Sequence, residues 1–263
     1  MFNFSSLYSG STGNCLLIQS NESNILIDAG VSQKKIISAL ASFNLSLEKI
    51  DAIVVTHEHS DHISSVGSIS KKYNIPVFAN IETLNSMGIQ KEKIADENKR
   101  IFVPNKKFKI KDIEIHGFKI PHDAANPCGF NFYHDDKKIT VATDIGHMNN
   151  ELLSHLKNSS FILLEANYDP DILKYSRYPF LLKQRISGPD GHLSNETSAK
   201  TISTLAKKYG LKSAMLGHLS KENNFPELAY KTVSDELYNN NLTSDDFHLS
   251  IASRDLPSKL IKI

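Results

Sequence analysis

Short apolar runs alternate with amphipathic stretches along the whole chain, and the two periods separate strands from helices. Residues 2–7, 15–19 and 24–28 have strand length, whereas residues 32–43 space their apolar side chains as one face of a helix. A strand over 52–55, a helix over 63–73 and a strand over 75–78 continue the rhythm of a βαβ unit. Residues 81–99 read as helical and then polar. Further strands are predicted over 100–103, 107–110, 113–120, 128–133, 138–142, 161–164, 212–216 and 247–251. Helices are predicted over 151–156, 173–186, 196–209 and 225–238. No repeat or linker interrupts this pattern, so one α/β domain over residues 1–263 is expected.

What ends the strands is more telling than the strands themselves. The run Ile53-Val54-Val55 stops at Thr56-His57-Glu58-His59-Ser60-Asp61-His62, which packs His57, His59, Asp61 and His62 into six positions. Histidines crowded beside an aspartate give a core nothing, but imidazole nitrogens and a carboxylate suit zinc, manganese or iron. A turn from strand to helix would point His57 and His59 one way and Asp61 and His62 another, which suits two neighbouring ions. Other strands end at Asp28, His122, Asp144, Glu165 and His218. A single polar strand end is unremarkable, and Asp28 alone reads equally as a helix cap; the recurrence points to a site built from strand ends and the loops after them. The connection over residues 8–14 is small, polar and twice glycine, so Ser11, Thr12, Gly13 and Asn14 either turn backbone N–H groups toward a phosphate or form a tight hairpin turn.

Composition narrows the setting. The chain carries 40% hydrophobic residues and a formal net charge of +1, so no global basic field announces nucleic acid, and a polyanion would need a local patch or metals. Lys106, Lys107, Lys109 and Lys111 read first as a solvated strand face and second as such a patch. Two cysteines, Cys15 and Cys128, lie in strand contexts and read as buried free thiols. The N-terminus lacks a leader pattern and no apolar run reaches membrane-spanning length, which leads us to expect a cytoplasmic protein that does not bind membranes.

The ordered set Asp28, His57-x-His59-x-Asp61-His62, His122, Asp144 and His218 resembles the ligand motifs of the metallo-β-lactamase fold, over essentially the whole chain. The resemblance implies a four-layer αββα sandwich, two mixed sheets flanked by helices, with no β-CASP insertion between Asp144 and His218. It implies two divalent ions, Mn2+ or Zn2+ with Fe2+ possible. His57, His59 and His122 would hold one, Asp61, His62 and His218 the other, and Asp144 would bridge them; Asp61 also counts as catalytic. Asp28 would orient a ligand histidine from behind. The segments over residues 9–15, 191–195 and 217–224 are similar to those of the YycJ/WalJ group, which implies 5′→3′ exonuclease activity on double-stranded DNA through attack by a metal-bridging hydroxide. Glu165-Ala166 and Gly191-His192-Leu193-Ser194 resemble paired segments of ribonuclease Z, with Asn167 and Leu193 in place of a threonine and a serine. That pairing makes His192 the proton donor to the leaving group and Glu165 its orienting carboxylate; the alternative is a helix cap and a loop brace.

Other functions remain open at the level of sequence. The same ions could polarise the carbonyl of a small ester, lactone or thioester without need of His192. RNA processing and a non-catalytic metal-bound regulator are the remaining alternatives, while His59 stands where a di-iron redox branch would carry a carboxylate.

Overall fold

The computed structural model describes residues 1–263, and its chain divides into two compact units. The first comprises residues 1–119, 124–136 and 253–263. It holds β1 (Asn3–Tyr8), β2 (Cys15–Gln19), β3 (Asn24–Ile27), β4 (Ala52–Val54), β5 (Val77–Ala79) and β6 (Lys99–Ile101). Its helices are α1 (Gln33–Ala41), α2 (Ser60–Ile63), α3 (Val66–Tyr73), α4 (Ile81–Ser86) and α5 (Ile89–Lys93), and an antiparallel meander follows as β7 (Lys107–Ile110), β8 (Ile113–Lys119) and β9 (Cys128–His134).

The second unit, residues 120–123 and 137–252, holds four parallel strands: β10 (Lys137–Ala142), β11 (Phe161–Glu165), β12 (Ser213–Gly217) and β13 (His248–Ile251). Its helices are α6 (Asn150–Leu156), α7 (Pro170–Tyr175), α8 (Phe180–Ser187), α9 (Asn195–Tyr209) and α10 (Pro226–Asn239). A last strand, β14 (Ile261–Lys262), returns to pair with β1 in the first unit. All strands fall into two seven-stranded mixed sheets, ordered β14-β1-β2-β3-β4-β5-β6 and β13-β12-β11-β10-β9-β8-β7.

The inner parallel strands, β3 and β4 in the first unit and β11 and β12 in the second, are almost wholly buried, which explains why they read as unbroken apolar runs. Leu26, Ile27, Ile53 and Val54 are fully enclosed in the first unit, and Ile162, Leu163, Leu164 and Leu216 in the second. Each such side chain contributes about 1.5–3 kcal/mol on leaving water. Helix α1 closes over the first set with Ile36, Ala39 and Leu40, and Ser32 caps it by accepting from the Lys35 amide. Cys15 and Cys128 are free and buried; burial pushes both thiols up, Cys128 to about 12, so they behave as core side chains.

Three local expectations are adjusted, and one strand had none. The helix expected over 63–73 starts earlier, as α2, and breaks because the Ser65 amide donates to the Ala29 carbonyl before α3 begins. The stretch 81–99 splits into α4 and α5 at Gly88, whose φ of 52° no ordinary helix admits. The helix expected over 173–186 is α7 and α8, separated at Pro179, which cannot donate into a continuing helix. Strand β14 has two residues, too short to leave a period in the sequence.

Candidate metal centre

In the first unit the parallel strands β3 and β4 end side by side; Asp28 directly follows β3, and Thr56 lies two residues past β4. Asp28 turns with φ 60°, a left-handed conformation that aspartate tolerates better than most residues. The turn aims its carboxylate across the neighbouring strand end. Oδ1 accepts from the Thr56 amide at 2.9 Å, while Oδ2 accepts from the Thr56 hydroxyl at 2.8 Å and pairs with His62 Nδ1 at 2.7 Å. Since the Thr56 proton points at Asp28, its oxygen is left to accept from His57 Nδ1 at 3.0 Å. One buried carboxylate therefore sets the ring orientation of two histidines, His62 directly and His57 through Thr56. His57 Nε2 then lies 3.1 Å from His59 Nδ1, close to the spacing of two nitrogens that share an ion at about 2.0–2.1 Å each. Asp61 Oδ2 stands 3.4 Å from His62 Nε2.

The backbone around this cluster is tied from three sides. The Asn14 amide donates to the Asp61 carbonyl, the Gly30 amide to the Asn14 carbonyl and the Ala29 amide to the His62 carbonyl, each at 2.8 Å. Gly30 is required by contact: a Cβ there would lie 1.6 Å from the Asp61 carbonyl oxygen. The loop with Ser11, Thr12, Gly13 and Asn14 is part of this brace. Asn14 Oδ1 accepts from the Gly10 amide, and Asn14 Nδ2 reaches His62 Nε2 at 3.1 Å and Asp61 Oδ2 at 3.4 Å. The Gly13 amide closes a turn onto the Gly10 carbonyl, while Ser11 and Thr12 are exposed at the tip.

In the second unit Glu165 occupies the position that Asp28 takes in the first. Fully buried at the end of β11, it accepts from His192 Nδ1 and His218 Nδ1 at 2.8 Å on Oε1, and from the Ile145 and Leu193 amides at 2.9 and 3.1 Å on Oε2. Asp144, with φ 59°, and His218, with φ 54°, turn at their strand ends as Asp28 does. Asp144 Oδ1 consequently lies 3.4 Å from His218 Nε2 and 3.8 Å from both His122 Nε2 and His192 Nδ1. His122 is fixed through Nδ1 by the Gly191 carbonyl at 3.1 Å. Asp144, Glu165, His192 and His218 each place a donor atom within 4.8 Å of the others.

The donor chemistry fits divalent ions. In each unit a buried carboxylate takes the Nδ1 proton of a histidine, which leaves the opposite nitrogen, Nε2, as the basic one, the arrangement that ligating histidines need. Titration agrees. Burial raises the Glu165 carboxyl, yet the charges and hydrogen bonds of His192 and His218 outweigh it and hold it well below the usual range. Burial would lower His192, but Glu165 opposes it through charge and hydrogen bond, and the imidazole ends above its ordinary value. For His122 burial prevails over the pull of Asp144, keeping the ring neutral and able to ligate.

A family model described as the metallo-beta-lactamase superfamily matches residues 8–207. The chain belongs to the metallo-β-lactamase superfamily. Its two mixed sheets with their helices are the αββα fold of that superfamily, as expected from the motifs. The chain is 40% identical over 266 residues to the exodeoxyribonuclease WalJ of Streptococcus pneumoniae (strain D39), an alignment covering 100% of this chain and 98% of the relative. With the exodeoxyribonuclease YycJ of Bacillus anthracis it shares 36% identity over 234 residues, 89% of this chain and 88% of the relative. A solved metallo-β-lactamase fold protein, YhfI of Bacillus subtilis, superposes with TM-score 0.69 at 16% identity, covering 98% of this chain and 100% of that one.

Within this superfamily frame, each unit gathers its share of the expected residues. Asp28, His57, His59, Asp61, His62 and the 11–14 loop converge in the first, and His122, Asp144, Glu165, His192 and His218 in the second. Sequence reasoning assigned nothing to Thr56, Gly30 or Asn167. Asn167 donates through Nδ2 to the His218 carbonyl at 2.9 Å, which steadies the left-handed turn there. A threonine opening a histidine motif and an Ala-Gly pair after Asp28 were the available signals. His147, set aside as a bland residue, is exposed and meets the Pro189 carbonyl through Nδ1 at 2.8 Å.

Proposed function

We propose that this protein is a metal-dependent exodeoxyribonuclease that removes nucleotides from double-stranded DNA in the 5′→3′ direction. The observation that carries the phosphodiester reading is His192, which is no part of the superfamily-like ligand set and is held at 2.8 Å by a fully buried Glu165. Full-length similarity to two exodeoxyribonucleases supports DNA as the polymer.

His57, His59 and His122 would hold one ion, Asp61, His62 and His218 the other, with Asp144 shared; manganese and zinc both suit this nitrogen and oxygen set. When bound, the two ions supply Lewis-acid charge that lowers the pKa of a water and neutralises the scissile phosphate. The protein's own part lies in the proton. Burial would lower the His192 pKa, but the charge and hydrogen bond of Glu165 raise it above its ordinary value and so favour the protonated ring; an imidazolium beside the leaving sugar oxygen would deliver the proton that an alkoxide otherwise lacks. Glu165 also orients the His192 ring and the His218 ring with a single oxygen, so donor and ligand keep a fixed relation. Asp28 and Thr56 do the same for His62 and His57.

One panel tests the proposal. Metal-reconstituted protein is offered labelled duplex DNA with 5′-phosphate or 5′-hydroxyl ends, single-stranded RNA and a thioester, alongside Asp61→Ala and His62→Ala. Stepwise loss of 5′ nucleotides from the duplex, abolished by a chelator and by both substitutions, is expected. Turnover of the thioester alone would sink the nuclease reading.

A further inference from the structure

Helices α7 and α8 lie between Glu165 and His192 in the chain, stand outside the ligand set and give only Leu173 to the core. Their outward side chains are strongly apolar: Tyr175 is 76%, Phe180 71% and Leu181 77% exposed, and α8 buries none of its residues. Residues 170–187 carry four cations, Lys174, Arg177, Lys183 and Arg185, against a single carboxylate, Asp171. Between the helices opens a cavity of about 560 Å³, with Tyr168, Tyr178 and Phe180 as its aromatic wall, Leu173 beneath, and Lys174 and Lys183 beside them. That volume lies within the ~300–1,000 Å³ range of small-ligand sites.

The base of this element is fastened to the loop that carries the proposed proton donor. The His192 amide donates to the Ile186 carbonyl at 2.9 Å, and Gly191 is pressed so closely that a Cβ would lie 2.2 Å from the Arg185 and Ile186 carbonyl oxygens. Arg185 Nε donates to Asp123 at 2.6 Å, one residue beyond His122. On the inner wall the Tyr168 carbonyl accepts from the Asn195 amide at 2.9 Å. Lys183 Nζ pins the two helices together through the Lys174 and Ser176 carbonyls, both at 2.7 Å.

We propose that this cavity is a nucleobase subsite, which receives one base of the DNA strand next to the cleaved phosphodiester while the surrounding cations face the adjacent phosphates. It deepens the exodeoxyribonuclease reading and rests on it. Aromatic faces stack on any base without reading its edge, and cations beside them meet the backbone; this is the combination by which proteins hold unpaired nucleotides without sequence preference. Even with Arg185 paired to Asp123, Lys174, Arg177 and Lys183 outweigh Asp171, a balance that complements a polyanion, and the anchoring on residues 186–192 sets the base at a fixed offset from His192. A lipid surface fits less well, because helices of six and eight residues joined at a proline offer no long amphipathic face.

The experiment uses the full chain with its ions restored and duplex DNA bearing an abasic nucleotide at the first or second 5′ position. For the wild type, removal of one of these bases raises KM about tenfold. Phe180→Ala, at a 71% exposed position, raises KM on intact ends by a similar factor and no longer distinguishes abasic from intact ends; Tyr178→Ala repeats the test at a second aromatic residue of the lining. The inference is overturned if the wild type cuts abasic and intact ends with equal KM, or if both variants keep the wild-type KM. It is also overturned if Phe180→Ala loses only sedimentation with phosphatidylglycerol vesicles. A wild type that cuts no DNA at all fails the nuclease reading itself, an outcome distinct from these three.

Discussion

Two buried carboxylates, Asp28 just past β3 in one unit and Glu165 as the last residue of β11 in the other, do comparable but unequal jobs. Asp28 has one direct histidine partner, His62, and reaches His57 through the Thr56 hydroxyl. Glu165 has two direct histidine partners on one oxygen and two backbone amides on the other. The shorter side chain braces ligands only. The longer one holds both His218 and His192 on a single oxygen, so under the proposed roles metal binding and proton transfer would depend on one group. The contrast teaches that similar placement of an acid behind a histidine marks support, whereas a second histidine on the same acid marks chemistry.

Substitutions separate the two roles, and the largest effect belongs to Glu165. Glu165→Gln removes the charge from both histidines; activity on duplex DNA falls by roughly 10³-fold or more, combining a 10–100-fold loss for a lost ligand brace with the acid–base term. Loss of a buried charge partner also lowers unfolding free energy by about 3–5 kcal/mol, read by urea denaturation. The comparison breaks if Glu165→Gln costs no more activity than Asp28→Asn. Next comes His192→Ala, which leaves two ions per chain by elemental analysis but lowers kcat about 10²–10⁴-fold; full retained activity would remove His192 from the mechanism. Asp28→Asn keeps the geometry of the turn and weakens metal affinity about 10–100-fold, with activity restored by excess ion. Failure of added metal to restore it would give Asp28 a role beyond bracing. The smallest effect is expected for Asn14→Ala. Removing its contacts to Gly10, Asp61 and His62 costs about 0.5–1.5 kcal/mol per hydrogen bond, seen as a lowered Tm, with metal affinity reduced several-fold.

Much of this arrangement is legible in the sequence. Apolar runs closing on Asp28, His57, His122, Asp144, Glu165 and His218 announced a site at strand ends, because a core strand has no use for a terminal charge. The supporting residues were not legible, for a physical reason. Thr56, Asn14, Gly30 and Asn167 act through the approach of loops distant in sequence, and a hydroxyl or a missing Cβ carries no sign of what it will face. For the loop of Asn14 a phosphate cradle and a tight turn read equally well from the sequence, and neither reading foretold that its side chain and backbone hold Asp61 and His62. The two helices of residues 170–187 read as one because apolar spacing continues across Pro179, although the proline itself carried the warning.

The left-handed turns at Asp28, Asp144 and His218 bear on how such a catalyst can change. Only glycine, asparagine, aspartate and, less readily, histidine adopt that backbone at little cost. The alphabet open to these three corners is thus narrow before any chemistry is asked of them. A library selected for a new substrate should leave them unvaried and draw its diversity from the exposed loop tips, where the backbone imposes no such filter. Inheritance of the corners and turnover of the tips would let one scaffold exchange substrates without rebuilding its reactive centre.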